Sequence, residues 1–109
     1  MVAILLAEGF EEIEAITPAD YLRRAGLDVR LVGVTGRSVT GGHGISVAAD
    51  LTLEELREEP DAVVVPGGGK GAENIASSAA SLDLIRRLHA GGKTVAAICA
   101  SPAVVLHKA

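Results

Sequence analysis

The chain is nearly devoid of aromatic residues: its 109 residues include no tryptophan, one phenylalanine and one tyrosine. The core must therefore be built from valine, isoleucine, leucine and alanine, and the aromatic platform on which single-stranded nucleic acid stacks is missing. Lysine and arginine number 10 against 14 aspartates and glutamates, which gives a formal net charge of −4. This balance argues against nucleic acid or an anionic membrane surface as the main partner.

The chain also has little cysteine and no long apolar run. A single cysteine excludes an internal disulfide and is typical of a reducing compartment. No apolar run approaches the roughly 20 residues of a membrane span. Met1–Ala7 has no basic region before it and is too short for the core of a signal peptide. These absences predict a soluble cytoplasmic protein without a membrane partner.

What the chain does contain is a series of short apolar runs separated by helical segments. Val2–Ala7, Ala62–Val65 and Thr94–Ile98 have the near-continuous hydrophobicity of strands buried on both faces, and Val29–Val34 is a fourth candidate. Strands that alternate with helices predict an α/β fold, an open parallel sheet with helices on both faces.

The predicted helix over Glu11–Ala25 has one apolar stripe, and Gly26 is placed to end it. The stripe consists of Ile13, Ile16, Ala19 and Leu22. Further helices are predicted over Thr52–Glu58, over Ser81–Ala90 and from Ser101 onward, and a small hairpin is predicted around Val39 and Val47 with its turn at Gly41-Gly42.

Three predicted loops follow strands: Glu8–Glu14, Pro66–Gly71 and Cys99–Pro102. Because chemistry in open parallel sheets gathers beyond the carboxyl ends of the strands, we expect these loops to meet in one crevice. The third loop resembles a nucleophile elbow, in which a reactive side chain sits on a tight turn between a strand and a helix. A helix N-terminus there favours the thiolate of Cys99. The alternative is a buried core cysteine.

Two features flank this cysteine in the predicted crevice. The Pro66–Gly69 run would expose backbone N–H groups that hold negative charge, although a plain strand-to-loop turn explains it equally well. Glu11 and Glu12 are ordinary first-turn partners of the helix dipole. Glu14 lies beside the apolar stripe, where an unpaired carboxyl group is kept protonated and would donate a hydrogen bond to Cys99 or act as a general acid or base.

No metal or cofactor is predicted. His43, His89 and His107 show no ligand spacing with one another or with Cys99. The glycine run is not a phosphate loop, because Lys70 follows it directly and no serine or threonine comes next.

Several segments together resemble the DJ-1/ThiJ/PfpI superfamily, in particular its DJ-1 and YajL branch. They are Ala7–Glu14, Pro18–Asp20 with Arg23–Gly26, Val64–Gly68, Gly71–Asn74 and Ala96–Pro102. The resemblance implies a flavodoxin-like fold and a homodimer. It also implies that Cys99 is the reactive cysteine, that Glu14 is its hydrogen-bonded partner, and that the N–H groups of Gly68 and Ala100 form an anion pocket.

The resemblance further implies cofactor-free glyoxalase or deglycase chemistry on reactive carbonyls, such as methylglyoxal to lactate, in the stress response. The alternative is a redox sensor or chaperone whose Cys99 is oxidised to the sulfinate. The peptidase activity of the PfpI branch is disfavoured, because Ala100 stands where that branch has histidine. A histidine in the C-terminal part completes the family's site, so we expect residues 1–109 to be the N-terminal portion of one domain, incomplete at the C-terminus, with the remaining segment missing or a separate chain.

Overall fold

A parallel sheet forms the centre of the protein in a computed structural model that describes all residues from Met1 to Ala109. The strands are β1 (Val2–Leu6), β2 (Val29–Gly33), β3 (Ser38–Thr40), β4 (Ser46–Ala48), β5 (Leu51–Thr52), β6 (Ala62–Val65) and β7 (Thr94–Ala97). Five of them pair in parallel in the order β5-β2-β1-β6-β7, and β3 and β4 form a separate antiparallel hairpin. The α/β class, the positions of the four predicted strands and the hairpin are therefore confirmed. The predicted burial on both faces is wrong for β7, whose residues alternate between exposed and half-buried, because β7 is the edge strand of the sheet.

Helices cover both faces of this sheet. They are α1 (Glu12–Arg24), α2 (Gly69–Ala76) and α3 (Ala79–Ala90), with a 3-10 turn at Leu53–Glu55 and a π-helical turn at Pro102–Leu106. The short helix predicted over Thr52–Glu58 is thus reduced to a single turn, and α2 was not predicted because its glycine-rich start reads as a loop. None of the helices combines the length and the apolar content needed to cross a bilayer.

The core consists of two layers that alternate along β1. Ala3 and Leu5 point into the layer beneath α2 and α3, whereas Ile4 and Leu6 point into the layer beneath α1 and the hairpin, where they pack with Phe10. All five side chains are fully buried. Burial on both faces explains why β1 is apolar at every position and not at alternate positions.

The prediction that the apolar stripe of α1 faces the core is wrong for the first two residues of the stripe. Ile13 is 72% exposed and Ile16 is 38% exposed, whereas Ala15 and Ala19 are buried against the sheet. Small side chains four residues apart bring the helix close to the strands, which rotates the larger isoleucines away from the core. Gly26 ends the helix as predicted, with a φ of +86°.

Just before β5, the side chain and backbone of Asp50 continue the hydrogen bonding along the outer edge of β2. The backbone N–H of Asp50 donates to the Leu31 carbonyl at 2.8 Å, and the Leu31 N–H donates to Asp50 Oδ2 at 2.8 Å. Asp50 thereby satisfies both backbone groups of Leu31, as a neighbouring strand would do. The same carboxylate accepts a hydrogen bond from Arg23 Nη2 at 2.8 Å, which fastens α1 to this edge.

Replacement of this aspartate should be costly. We expect Asp50→Ala to lower the free energy of unfolding by about 1.5 kcal/mol, because the Leu31 N–H loses a charged acceptor. The matched control is Asp28→Ala, which removes an exposed carboxylate paired with Arg30 and should have a much smaller effect. Urea unfolding of both variants checks the prediction, and equal losses would contradict it.

Candidate functional site

The three loops predicted to converge do meet at the carboxyl ends of the strands. The Glu11 N–H donates to the Gly67 carbonyl at 3.0 Å, and the Gly67 N–H donates to Glu14 Oε1 at 3.0 Å. On the other side, the buried hydroxyl of Ser101 donates to the Pro66 carbonyl at 2.6 Å. Hydrogen bonds from both neighbouring loops therefore hold the loop after β6.

Gly67 lies directly between the two side chains expected to carry the chemistry. A Cβ built on Gly67 would lie 2.5 Å from Glu14 Oε1, 2.7 Å from the Cβ of Cys99 and 3.1 Å from the Ile98 carbonyl oxygen. Real side chains do not tolerate such distances, so only glycine allows this approach. The structure thus brings Glu14 and Cys99 together at the same face of Gly67, around the space that a side chain would fill.

The backbone of Cys99 has the geometry of a strained turn. Its φ is +62°, and it is the one non-glycine residue of the chain with a positive φ. Such backbone strain is concentrated at functional sites. The side chain is exposed, so the alternative of a buried core cysteine is wrong. Pro102 follows in the first turn of the π-helical segment, as predicted.

Two backbone N–H groups beside the cysteine have no acceptor in the protein. Those of Gly68 and Ala100 donate no hydrogen bond, and both residues are half-buried. Gly68 immediately precedes α2, whose positive end adds to the local preference for an anion. The two groups are thus available to an anionic oxygen, and their assignment to an anion pocket stays a prediction.

Glu12 is not the ordinary first-turn carboxylate that its position in the sequence predicts. Glu12 is only 5% exposed and accepts hydrogen bonds from the His43 N–H at 2.8 Å and the Ile45 N–H at 3.2 Å, while His43 Nδ1 lies 3.0 Å from its Oε1. Burial opposes its ionisation, but the hydrogen bonds from His43 and from the backbone outweigh burial and lower its pKa to about 2. The nearest signal in the sequence is Gly41, where a Cβ would lie 2.3 Å from the Glu12 carboxyl carbon.

The ionic cluster at this point contains three side chains of types that bind metals. Oxygen or nitrogen atoms of Glu11, Glu12 and His43 lie within 4.8 Å of one another. Hydrogen bonds between Glu12 and His43 account for their proximity. The bond from the ring to Glu12 raises the pKa of His43, and the charge of Glu11 raises it further. We therefore interpret the cluster as a contact that holds the hairpin, and the predicted absence of metals and cofactors stays a prediction.

The structure is that of an α/β protein with an open parallel sheet, and its cysteine lies on a strand-to-helix turn of the kind found in nucleophile elbows. Comparison with known proteins narrows this class. The family described as DJ-1/PfpI matches residues 1–109. The chain is 38% identical over 104 residues to the protein dj-1beta of Drosophila melanogaster and 34% identical over 106 residues to the deglycase PfpI of Pyrococcus furiosus.

The chain therefore belongs to the DJ-1/PfpI family. Its fold agrees with that of Toxoplasma gondii DJ-1 in an oxidised form, with a TM-score of 0.95 and 42% identity over 97% of this chain. The chain spans 56% of the Drosophila protein, 63% of the Pyrococcus protein and 59% of the Toxoplasma chain. It thus corresponds to little more than half of each of these relatives.

The positive φ of Cys99 leads to a prediction about stability. We expect Cys99→Gly to unfold with a free energy about 1 kcal/mol higher than Cys99→Ala, because glycine alone is free of steric strain at this φ. Thermal and urea unfolding of the two variants, which both lack the thiol, provide the comparison. Equal stability would show that the turn is unstrained.

The pKa values of Glu12 and His43 lead to a prediction about pH. Glu12, lowered from 4.5 to about 2, stabilises the fold fully above pH 4.5, and this contribution is lost as pH falls towards 2. His43, raised above 6.5, contributes fully below pH 6.5 and loses its contribution as pH rises through the raised value. The stability difference between the parent chain and Glu12→Gln should therefore be largest between about pH 4.5 and 6.5. Urea titrations across this range measure it, and a difference independent of pH contradicts the assignment.

Proposed function

We propose that this chain carries a cysteine-dependent activity on reactive carbonyl compounds, of the glyoxalase or deglycase type. The observation that carries the proposal is the position of Gly67, whose N–H donates to Glu14 Oε1 and whose missing side chain leaves room for Glu14 and Cys99 to lie side by side. A nucleophile and a proton-transferring group so close together are what carbonyl addition followed by proton transfer requires. Among the relatives, the Pyrococcus furiosus protein is called a deglycase.

The proposed reaction converts a 2-oxoaldehyde such as methylglyoxal into a 2-hydroxy acid such as lactate. The Cys99 thiolate adds to the aldehyde carbon, and the resulting alkoxide takes a proton to give a hemithioacetal. Glu14 removes the proton from this carbon to give an enediolate and delivers it to the neighbouring carbon, while the proton of the hemithioacetal hydroxyl passes to the oxygen on that neighbouring carbon, so that the thioester of a 2-hydroxy acid forms. Water then cleaves the thioester, which releases the hydroxy acid and restores the thiol.

The N–H groups of Gly68 and Ala100 fit the demands of this sequence. The oxygen of the aldehyde becomes an alkoxide when sulfur adds, and donors without another acceptor stabilise such charge as it develops. No metal or cofactor takes part in the proposed steps, because sulfur supplies the nucleophile and Glu14 the proton transfer. The two residues that supply these donors follow the residues of the site directly in the sequence: Gly68 follows Gly67, and Ala100 follows Cys99.

A second candidate function is redox sensing. Cys99 is exposed, and the same free N–H groups would hold the oxygens of a sulfinate. The structure of the Toxoplasma relative is described as oxidised, which supports this alternative. A chaperone role would belong to this second candidate. A peptidase function finds less support, because Ala100 and no histidine follows the cysteine.

The proposed site is completed by protein outside this chain. We propose that a C-terminal segment of the same domain supplies a histidine, that the whole forms a homodimer, and that it works in the cytoplasm. An apolar groove of about 370 Å³ lies beside the site, and its lining includes Ile13, Glu14 and Ile98. The exposed isoleucines of this groove would be buried by an additional segment, which supports the proposal. The outer side of β7 carries no further strand.

Turnover of methylglyoxal tests the proposed activity. Native purified protein, with any polypeptide that accompanies it, should form lactate at a rate that Cys99→Ala abolishes and Glu14→Gln lowers by roughly 10²-fold or more, the range expected for a lost general acid or base. Intact mass under native and denaturing conditions shows whether a second polypeptide is present. Asp20→Asn, on the exposed face of α1, serves as the control.

The outcomes separate the two candidates. Lactate formation that survives Cys99→Ala contradicts the carbonyl activity. Absence of turnover, together with a gain of two oxygen atoms on Cys99 under mild peroxide that Glu14→Gln suppresses, favours the redox sensor. Unchanged turnover and unchanged oxidation in Glu14→Gln would remove this residue from either role.

A further inference from the structure

The contact between Glu12 and the hairpin loop has no part in the proposed chemistry, yet Glu12 is the most buried carboxylate among the ion pairs of the chain. The Glu12 side chain is 7% exposed, whereas the other carboxylates in ion pairs are 26% exposed or more. Its carboxylate receives two backbone N–H groups and the ring of His43. Burial of a charge on this scale is costly unless its partners are fixed in place.

The hairpin loop is attached to the start of α1 at further points. The Gly42 N–H donates to the Phe10 carbonyl at 2.8 Å, and the Gly9 N–H donates to the Thr40 carbonyl at 2.9 Å. The carboxyl group of Glu12 packs on Gly41, where no side chain is possible. The loop after β1 and the hairpin therefore form one connected unit.

This unit continues into the candidate site. Glu12 stands between Glu11, whose N–H donates to the Gly67 carbonyl, and Glu14, whose carboxylate accepts the Gly67 N–H. The first turn of α1 is thus held by the hairpin on one side and by Gly67 on the other.

We propose that Glu12 and His43 are positioning residues for the candidate site: their contact fixes the first turn of α1 and thereby the placement of Glu14 on Gly67 beside Cys99. The proposal rests on the function proposed for Glu14 and Cys99. Neither Glu12 nor His43 touches the reacting atoms in this assignment. Their effect reaches the thiol through the helix.

The charges around His43 give this contact a dependence on pH. Two charged groups face the His43 ring, and both belong to the start of α1. Nδ1 of the ring lies 3.0 Å from Glu12 Oε1 and 3.5 Å from Glu11 Oε1. Protonated His43 is attracted to both carboxylates, and the attraction is lost when the ring becomes neutral. Above the pKa of His43, the first turn of α1 is held by the backbone hydrogen bonds and by a neutral ring hydrogen bond where Nδ1 carries the proton.

The test is the rate at which iodoacetamide alkylates Cys99 across pH 5 to 10, which needs no catalytic turnover. We expect Glu12→Gln and His43→Gln each to move the pH midpoint of alkylation by about half a unit or more, which corresponds to a roughly threefold change in rate below the midpoint. Asp20→Asn, which disrupts an exposed pair on the same helix, should leave the midpoint unchanged. The parent profile should also show an inflection from His43 that His43→Gln removes.

A purely structural role predicts a different result. If the variants unfold at lower urea concentration while their alkylation profiles match that of the parent chain, the proposal is overturned. Should Glu12→Gln fail to fold, His43→Gln carries the test, because the His43 side chain is 70% exposed. If the variants shift the alkylation profile but the parent protein shows no carbonyl turnover, the positioning role is upheld and the proposed function is contradicted. If the parent protein turns over the carbonyl but the variants leave the profile unchanged, the proposed function stands and the positioning role is contradicted.

Discussion

The site depends on the backbone of one glycine, Gly67, being held by the start of α1. Its N–H and its carbonyl are both hydrogen-bonded there, and a Cβ at this position would lie 2.7 Å from the Cβ of Cys99. A single peptide segment thereby sets how far the carboxylate and the sulfur lie from each other. The parallel sheet makes this possible, because β6 lies between β1 and β7 and the three loops that follow these strands must be neighbours.

The sequence was sufficient to predict the sheet and the loops of the site. Strands of a parallel sheet leave near-continuous apolar runs, and a lone cysteine between such a run and Ser101-Pro102 is a distinctive pattern. The orientation of α1 could not be predicted, because Ile13 and Ala15 compete for the core on size and the close packing of small residues decides it. The burial of Glu12 depends on a loop 31 residues away, which periodicity does not detect.

Carbonyl addition and cysteine oxidation make the same demands on the protein. Each places negative charge on oxygen bound near sulfur, and each requires an accessible thiol beside donors that no other acceptor occupies. The geometry around Cys99 meets these shared demands and favours neither reaction. What separates the two functions is the proton transfer between carbons that only the first requires of Glu14, and this is why that carboxylate is the decisive residue.

The order of the site residues along the chain has a consequence for biosynthesis. Glu14 and Gly67 are 53 residues apart, and both precede Cys99 along the chain. Because a nascent chain leaves the ribosome from its N-terminus, the carboxylate and the glycine loop emerge before the thiol. When Cys99 leaves the exit tunnel, the two groups that lie beside it in the fold are therefore already outside.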